Sequence, residues 1–118
     1  MTTSEVAARF EELAREEKWF EIQDELFSDD VTSIEPPHSR WFPNAAGKAA
    51  VRKKGEHFVS GIEEIRRTYT SPMIVTANHF AVGRDVDLTH REFGVINYHQ
   101  IMLYEVRNGQ IVSQHFFY

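Results

Sequence analysis

The chain ends in two β-rich segments joined at Asn108-Gly109, and this junction is the strongest local signal in its 118 residues. Asn-Gly favours the two positive-φ positions of a type I′ turn, so the sequence predicts a tight hairpin between residues 95–107 and 111–118. The first segment, about 13 residues long, would span about 43 Å if straight, too far for a flat sheet in a small domain. We therefore expect this strand to bend at a bulge.

Apolar residues lie on both faces of this long predicted strand. Tyr98 and Met102 belong to one face, and Ile101 and Leu103 belong to the other. Because neither face looks solvated, helices must cover one side of the sheet and another surface must cover its back. The pattern predicts a homodimer packed back to back through the sheet, with a pocket for a small-molecule ligand inside each subunit.

Helical signals precede the strands. Thr2 and Glu5 form a capping box, which predicts a first helix over about residues 4–17. A second, shorter helix from Trp19 ends at residues 28–30, and a short strand at 31–35 stops at two prolines. Asn44 is predicted to cap a third helix. Its inward stripe would be Val51, Gly55, Phe58 and Ile62, with Arg52, Lys53 and Lys54 facing water.

Strands are predicted at about residues 65–76, 80–88, 95–107 and 111–118. Helices first and a meander of strands last define the α+β class, with one domain over residues 1–118. We expect three N-terminal helices in the concave face of a strongly curved, mainly antiparallel sheet. His79 and His90 fall in predicted turns and are expected at the surface.

Composition narrows the choice of partners. A net charge of −5 argues against nucleic acid, which requires a basic surface. There is no apolar run long enough for a membrane span, the N-terminus does not resemble a signal peptide, and there is no cysteine, so we expect a cytoplasmic protein without membrane association. The six histidines lack metal-ligand spacing, and no cofactor fingerprint is present, so neither a metal nor a cofactor is predicted.

The chain resembles SnoaL-like proteins of the nuclear transport factor 2-like superfamily in residues 26–36 and 104–112 and in the order of its elements. This branch includes polyketide cyclases and relatives of ketosteroid isomerase. The resemblance covers nearly the whole chain and implies a cone-shaped, cystatin-like fold. It specifies the fold better than the function, because this fold carries isomerases, dehydratases, cyclases and non-catalytic modules.

The resemblance puts Glu35 in the place of the isomerase's general base. Desolvation at the wall of an apolar pocket raises the pKa of a carboxyl group, which would suit proton transfer near neutral pH. The structural alternative is that Glu35 faces water or pairs with a base such as Arg40.

Asn97 and His99 share one face of the long strand, and the isomerase's second oxyanion donor falls near His99. Together they could polarise a carbonyl group or shuttle a proton. The alternative is that they lie on the outer face and make hydrogen bonds at a dimer interface.

Two positions depart from the relatives. Phe10 stands where the isomerase has a catalytic tyrosine, so half of the oxyanion hole is missing and steroid isomerase activity is not expected. Phe116 stands where the cyclases carry an acid, so their mechanism is not assigned. The candidate ligand-binding residues are Phe10, Trp41, Phe58, Tyr69, Gln114, Phe116 and Tyr118.

The leading hypothesis is a pocket for a small apolar or carbonyl-bearing ligand. If the protein is an enzyme, it would catalyse cofactor-free proton transfer of the isomerase or cyclase type. The alternatives are a non-catalytic binding or assembly module and a dehydratase, since dehydratase relatives use histidines and a carboxylate in the same cone.

Overall fold

The structure is a computed structural model that describes residues 1–118. It contains three helices and six strands. In chain order they are α1 (Thr3–Arg15), α2 (Trp19–Leu26), β1 (Phe27–Ile34), β2 (Ala45–Ala46), α3 (Lys48–Ser60), β3 (Ile62–Val75), β4 (His79–His90), β5 (Gly94–Arg107) and β6 (Gln110–Phe117). None of the three helices combines the length and the hydropathy needed to cross a membrane.

The strands form one curved, open sheet in the order β2-β1-β6-β5-β4-β3. Four of its five pairings are antiparallel, and only β1 and β6 run parallel. The predicted α+β class and the mainly antiparallel cone are therefore confirmed. The parallel pairing places the end of β1 beside the end of the chain.

The helix α1 packs against β3, β4 and β5 of the sheet. Its predicted capping box is present: the Thr2 side chain accepts from the Glu5 backbone, and Glu5 accepts from the Thr2 backbone. At the centre of the core, the fully buried ring of Phe10 packs against Phe80 and Tyr104. Burying a phenylalanine of this kind contributes roughly 1.5–3 kcal/mol of stability.

The terminal hairpin forms as predicted. Asn108 and Gly109 have φ angles of 52° and 75°, as a type I′ turn requires. The pairing of β5 with β6 shifts register between Glu105 and Val106, so the long strand carries an irregularity near its end. The strand β3 shifts register against β4 at three places, which accommodates much of the sheet's curvature.

Several boundaries differ from the prediction. The strand β1 begins at Phe27, four residues before the expected strand. The third helix begins after Gly47, so Asn44 does not cap it. Ile62 belongs to β3, because the helix already ends at Ser60. The two-residue strand β2 was not predicted, since such short pieces carry no periodic signal.

His90 is buried, contrary to its predicted surface position. Its ring lies between the rings of Phe58 and Phe93, and its Nε2 is 2.9 Å from the Phe58 carbonyl oxygen. A side chain at Gly61 would collide with this ring, so the glycine makes room for it. His90 thus fixes the end of α3 to the β4–β5 turn.

Candidate functional site

A cavity of about 170 Å³ lies between the helices and the inner face of the sheet. Its wall is mainly aromatic, with a few polar groups. The lining residues come from α2 (Trp19, Gln23), the end of β1 (Glu35), the following loop (Phe42), α3 (Val51, Lys54, Gly55, Phe58), β4 (Arg84), β5 (Tyr98, Gln100, Met102, Tyr104) and β6 (Gln114, Phe116). Concave, largely apolar sites with a few convergent polar groups are typical of small-molecule binding.

Glu35 lies in this wall, one residue after β1 ends, and is only 5% exposed. Its backbone N–H donates to Asn44 Oδ1 at 2.7 Å, and Pro36-Pro37 direct the chain away from the sheet. Asn44 therefore positions Glu35 instead of capping α3. The prediction that Glu35 lies in the pocket wall agrees with this placement, and its catalytic role stays a prediction.

Lys54 of α3 is the ion-pair partner of Glu35. Its Nζ lies 2.6 Å from Glu35 Oε2, and the two side chains are 11% and 3% exposed. Burial lowers the pKa of Lys54 below its ordinary value, while the hydrogen bond and the charge of Glu35 oppose this shift. The expectation that Lys54 faces water was wrong.

Tyr118 is the hydrogen-bond partner of the other carboxylate oxygen of Glu35. Its hydroxyl donates to Glu35 Oε1 at 2.7 Å and lies 2.6 Å from Ser39 Oγ. Burial raises the pKa of Tyr118, and the hydrogen bond to Glu35 raises it further, so the phenol is protonated and donates at neutral pH. The parallel pairing of β1 with β6 brings Tyr118 within reach of Glu35.

The polar chain continues behind Lys54. Its Nζ also donates to Ser33 Oγ at 2.8 Å, and Gln114 Nε2 donates to the same oxygen at 2.9 Å. An ammonium group has three N–H donors, and in Lys54 two of them go to Glu35 and Ser33. The third N–H of Lys54 has no protein partner and remains available in the cavity wall.

Two further polar residues line the cavity. Arg84 pairs with Glu17 at 3.0 Å and lies 4.5 Å above the Trp19 ring, so its charge is neutralised at the wall. Gln23 Oε1 is buried and has no hydrogen-bond partner. An unpaired buried acceptor costs about 1–3 kcal/mol, so a ligand donor here would find an unsatisfied partner.

The predicted ligand-binding residues fall into three groups. Phe58, Gln114 and Phe116 line the cavity. Trp41 borders a neighbouring depression and stacks on Tyr118, which itself contacts Glu35. The remaining two predicted residues lie elsewhere, Phe10 in the core behind the cavity wall and Tyr69 on β3 with 48% exposure.

Asn97 and His99 lie on the opposite face of β5 from the cavity. The His99 side chain is 71% exposed, and its Nδ1 is 2.7 Å from Asp85 Oδ1 on the neighbouring strand. Asn97 is also exposed. The structure does not bring either residue together with Glu35. Both lie on the outer face, as the alternative expected, and a hydrogen bond at a dimer interface stays a prediction.

Lys54 is the main residue that the sequence analysis missed, although a signal for it exists. Val51, Lys54, Gly55 and Phe58 follow the i, i+3, i+4, i+7 spacing of one helix face, and all four line the cavity. Residue type alone predicts a solvent-exposed lysine, because lysine is rarely buried without a partner. The partner lies 19 residues away in the sequence, where no local pattern reveals it.

Comparisons with known proteins agree with this architecture. The family model for the SnoaL-like domain matches residues 1–118. A search of the curated proteins finds no match. Among solved structures, a protein from Mesorhizobium loti named as a candidate SnoaL-like polyketide cyclase is 26% identical, with a TM-score of 0.90 and full coverage of both chains.

More distant structures share the fold alone. An NTF2-like protein of unknown function from Burkholderia pseudomallei is 15% identical, with a TM-score of 0.72 over 98% of this chain and 89% of that one. A protein with a ketosteroid isomerase-like fold from Catenulispora acidiphila, solved with trimethylamine, is 13% identical, with a TM-score of 0.66 over 82% and 72%.

Proposed function

The chain belongs to the SnoaL-like domain family, and from the geometry of its cavity we propose that it catalyses cofactor-free proton transfer on a small carbonyl compound. The observation that carries the proposal is the buried Glu35–Lys54 pair, whose third ammonium N–H is free in an aromatic cavity. It supplies a base and an electrophile side by side.

In this mechanism the third N–H of Lys54 donates to the ligand's carbonyl oxygen. Glu35 removes a proton from the adjacent carbon, and the ammonium stabilises the negative charge that develops on the oxygen. Lys54 thus supplies a hydrogen-bond donor to the oxyanion, which the Phe10 side chain cannot do. Tyr118 holds the Glu35 carboxylate in place through its hydroxyl.

The size of the cavity limits the substrate. A cavity of about 150 Å³ holds benzene, and this one is about 170 Å³. A compound with a single ring fits this volume, whereas a steroid would have to extend beyond it. We expect a monocyclic or short-chain ketone, aldehyde or enone.

Gln23 adds a chemical requirement. Its unpaired Oε1 favours a ligand that brings a hydroxyl or N–H donor as well as the carbonyl. The proposed substrate class is therefore a small carbonyl compound with a second, hydrogen-bond-donating group.

The test uses isomerisation of 3-cyclohexenone to its conjugated isomer, and exchange of cyclohexanone α-protons in heavy water. Replacing Glu35 by Gln keeps the shape and removes the base, so the rate should fall by about 10²-fold or more. Asp85→Asn on the outer face is the matched control and should retain the full rate. Equal rates in Glu35→Gln and the unaltered protein would overturn the proposal.

A non-catalytic binding module is the second candidate. Both oxygens of Glu35 already have donors, and a carboxylate paired on both oxygens is also typical of a structural role. Absence of any Glu35-dependent turnover, with retained ligand binding, would favour this reading. The cavity adds no support to the dehydratase alternative, because none of the residues that line it is a histidine.

We also propose that the outer face of the sheet forms a homodimer. Val95, Ile101 and Phe117 are 69%, 55% and 46% exposed, and Ile101 pairs with Phe117 across β5 and β6. Ile101 and Phe117 form an apolar patch, Val95 lies farther along the same face of β5, and a second copy would cover both. Light scattering at micromolar concentration should give twice the chain mass, and Ile101→Lys should give a monomer. A monomer mass for the unaltered protein would refute the dimer.

A further inference from the structure

We propose that Lys54 activates its ligand covalently, by condensing with the carbonyl carbon to form an imine. The inference rests on the proposed function, because it takes the same cavity, the same carbonyl ligand and the same pair of residues. It adds that the Lys54 nitrogen becomes a nucleophile instead of acting only as a hydrogen-bond donor.

The surroundings of Lys54 favour an uncharged amine. Its Nζ lies 5.5 Å from the centre of the Phe116 ring, and the side chain is 11% exposed. An ammonium group in such an apolar site loses most of its hydration, which favours the neutral form. The lowered pKa of Lys54 is consistent with this effect.

Glu35 makes the neutral amine accessible without any change in net charge. Its Oε2 is 2.6 Å from Nζ, so a proton can pass directly from the ammonium to the carboxylate. The transfer replaces two buried charges by two neutral groups, an exchange that a dry environment favours. Ser33 Oγ accepts a hydrogen bond from the Lys54 nitrogen and holds it in place while the lone pair of that nitrogen becomes available.

The reaction balances with these two residues alone. After the proton transfer, the amine lone pair attacks the carbonyl carbon, and the carbonyl π electrons move to oxygen, which takes the proton from Glu35. The nitrogen then returns one proton to Glu35. Glu35 donates this proton to the hydroxyl group, which leaves as water while the nitrogen lone pair forms the C=N bond. The products are a protonated imine, the Glu35 carboxylate and one water.

The product restores a charged pair at the site. The iminium nitrogen lies beside the Glu35 carboxylate, where the ammonium lay before. An iminium acidifies the neighbouring C–H bond more than a hydrogen bond to the carbonyl does, so Glu35 would then remove the α-proton more readily. The covalent step therefore strengthens the proton transfer proposed above.

The test traps the imine with cyclohexanone as the probe. Sodium cyanoborohydride reduces an imine to a stable secondary amine, and peptide mapping by mass spectrometry locates it. The chain has only four lysines, so assignment is unambiguous, and the exposed Lys53 beside Lys54 is a built-in control. Lys54 should be modified at least about tenfold faster than Lys53 at neutral pH. Equal modification, or none at Lys54, would overturn the inference.

Two variants separate the possible failures. Lys54→Arg keeps the positive charge and can pair with Glu35 but cannot form an imine, so its α-proton exchange should fall about as far as that of Glu35→Gln. Lys53→Arg should behave like the unaltered protein. Full exchange in Lys54→Arg, with loss in Glu35→Gln, would reject the covalent step and leave the proposed function standing. Exchange that does not depend on Glu35 would reject the proposed function itself.

Discussion

The inner and outer faces of the sheet each carry a pair of a carboxylate and a nitrogen base, and the two pairs differ in burial. The Glu35–Lys54 pair lies in the cavity, with side chains 3% and 11% exposed. The Asp85–His99 pair makes a contact of similar length, at 2.7 Å, with side chains 27% and 71% exposed. Charges in water interact weakly, whereas the same groups in a dry cavity strongly affect each other's protonation. The contact distance alone therefore does not identify a reactive pair.

The largest expected effect comes from breaking the inner pair. Lys54→Met leaves the Glu35 carboxylate buried without its counter-charge, so the free energy of unfolding should fall by about 3–5 kcal/mol. Chemical denaturation measures this loss of stability. The double variant Glu35→Gln/Lys54→Met removes both charges and should recover most of this loss, because replacing a whole buried pair is often nearly neutral. A single variant as stable as the unaltered protein would show that the pair is not buried in solution.

A smaller effect is expected from ligand recognition at Gln23. A cyclohexanone that carries a hydroxyl group should bind more tightly than cyclohexanone, because it pairs with the free Oε1, a difference of up to about 1–3 kcal/mol. Gln23→Leu should remove this preference or reverse it, as measured by calorimetry. The matched change on the outer face, Asn97→Leu, should leave the preference intact. A preference that survives Gln23→Leu would place the donor elsewhere in the cavity.

A modest effect is expected at alkaline pH. Burial raises the pKa of Tyr98 from 10.0 to about 12, so the folded state keeps a proton that the unfolded chain loses. The resulting stability is fully present below pH 10 and is lost as the pH rises from 10 to about 12. Lys54 has the opposite effect on the pH dependence of stability. Its pKa is lowered by folding, so the folded protein releases this proton at a lower pH than the unfolded chain does.

Tyr98→Phe should therefore weaken the loss of stability with rising pH, measured as unfolding midpoints across that window. Tyr69→Phe on the exposed strand β3 is the control and should leave the slope unchanged. Identical slopes in both variants would show that the inner tyrosine is not protected from solvent.

The smallest effect is expected on the outer face. His99→Ala breaks an exposed contact, so both the unfolding midpoint and the turnover in the cavity should stay unchanged within error. A clear loss of turnover would return His99 to the list of functional residues and would contradict the separation of the two faces.

The fold was predictable because its signals are local. The capping box at Thr2, the Asn108-Gly109 turn and the change from helical to alternating periodicity each specify structure over a few residues. The site was predictable only in part. Glu35 carried a local signal, an apolar strand ended by two prolines, whereas Lys54 became a site residue through a contact that forms only in the folded chain.

The faces of β5 show the same limit. Both faces carry apolar residues, so alternation alone could not say whether Asn97 and His99 or Tyr98 and Gln100 point inward. The helices determine which face is the inner one, since α1 and α3 cover the face that bears Tyr98 and Gln100.

The central claim is that the inner cavity, with Glu35 and Lys54 in its wall, is the place where a small carbonyl compound binds. An NMR titration of the ¹⁵N-labelled protein with cyclohexanone tests it most directly. The account predicts saturable shifts of the backbone amides of Gly55 and Gln114, with no change at Asn97 and His99. Shifts confined to the outer face, or no saturable shift in the cavity wall, would contradict it.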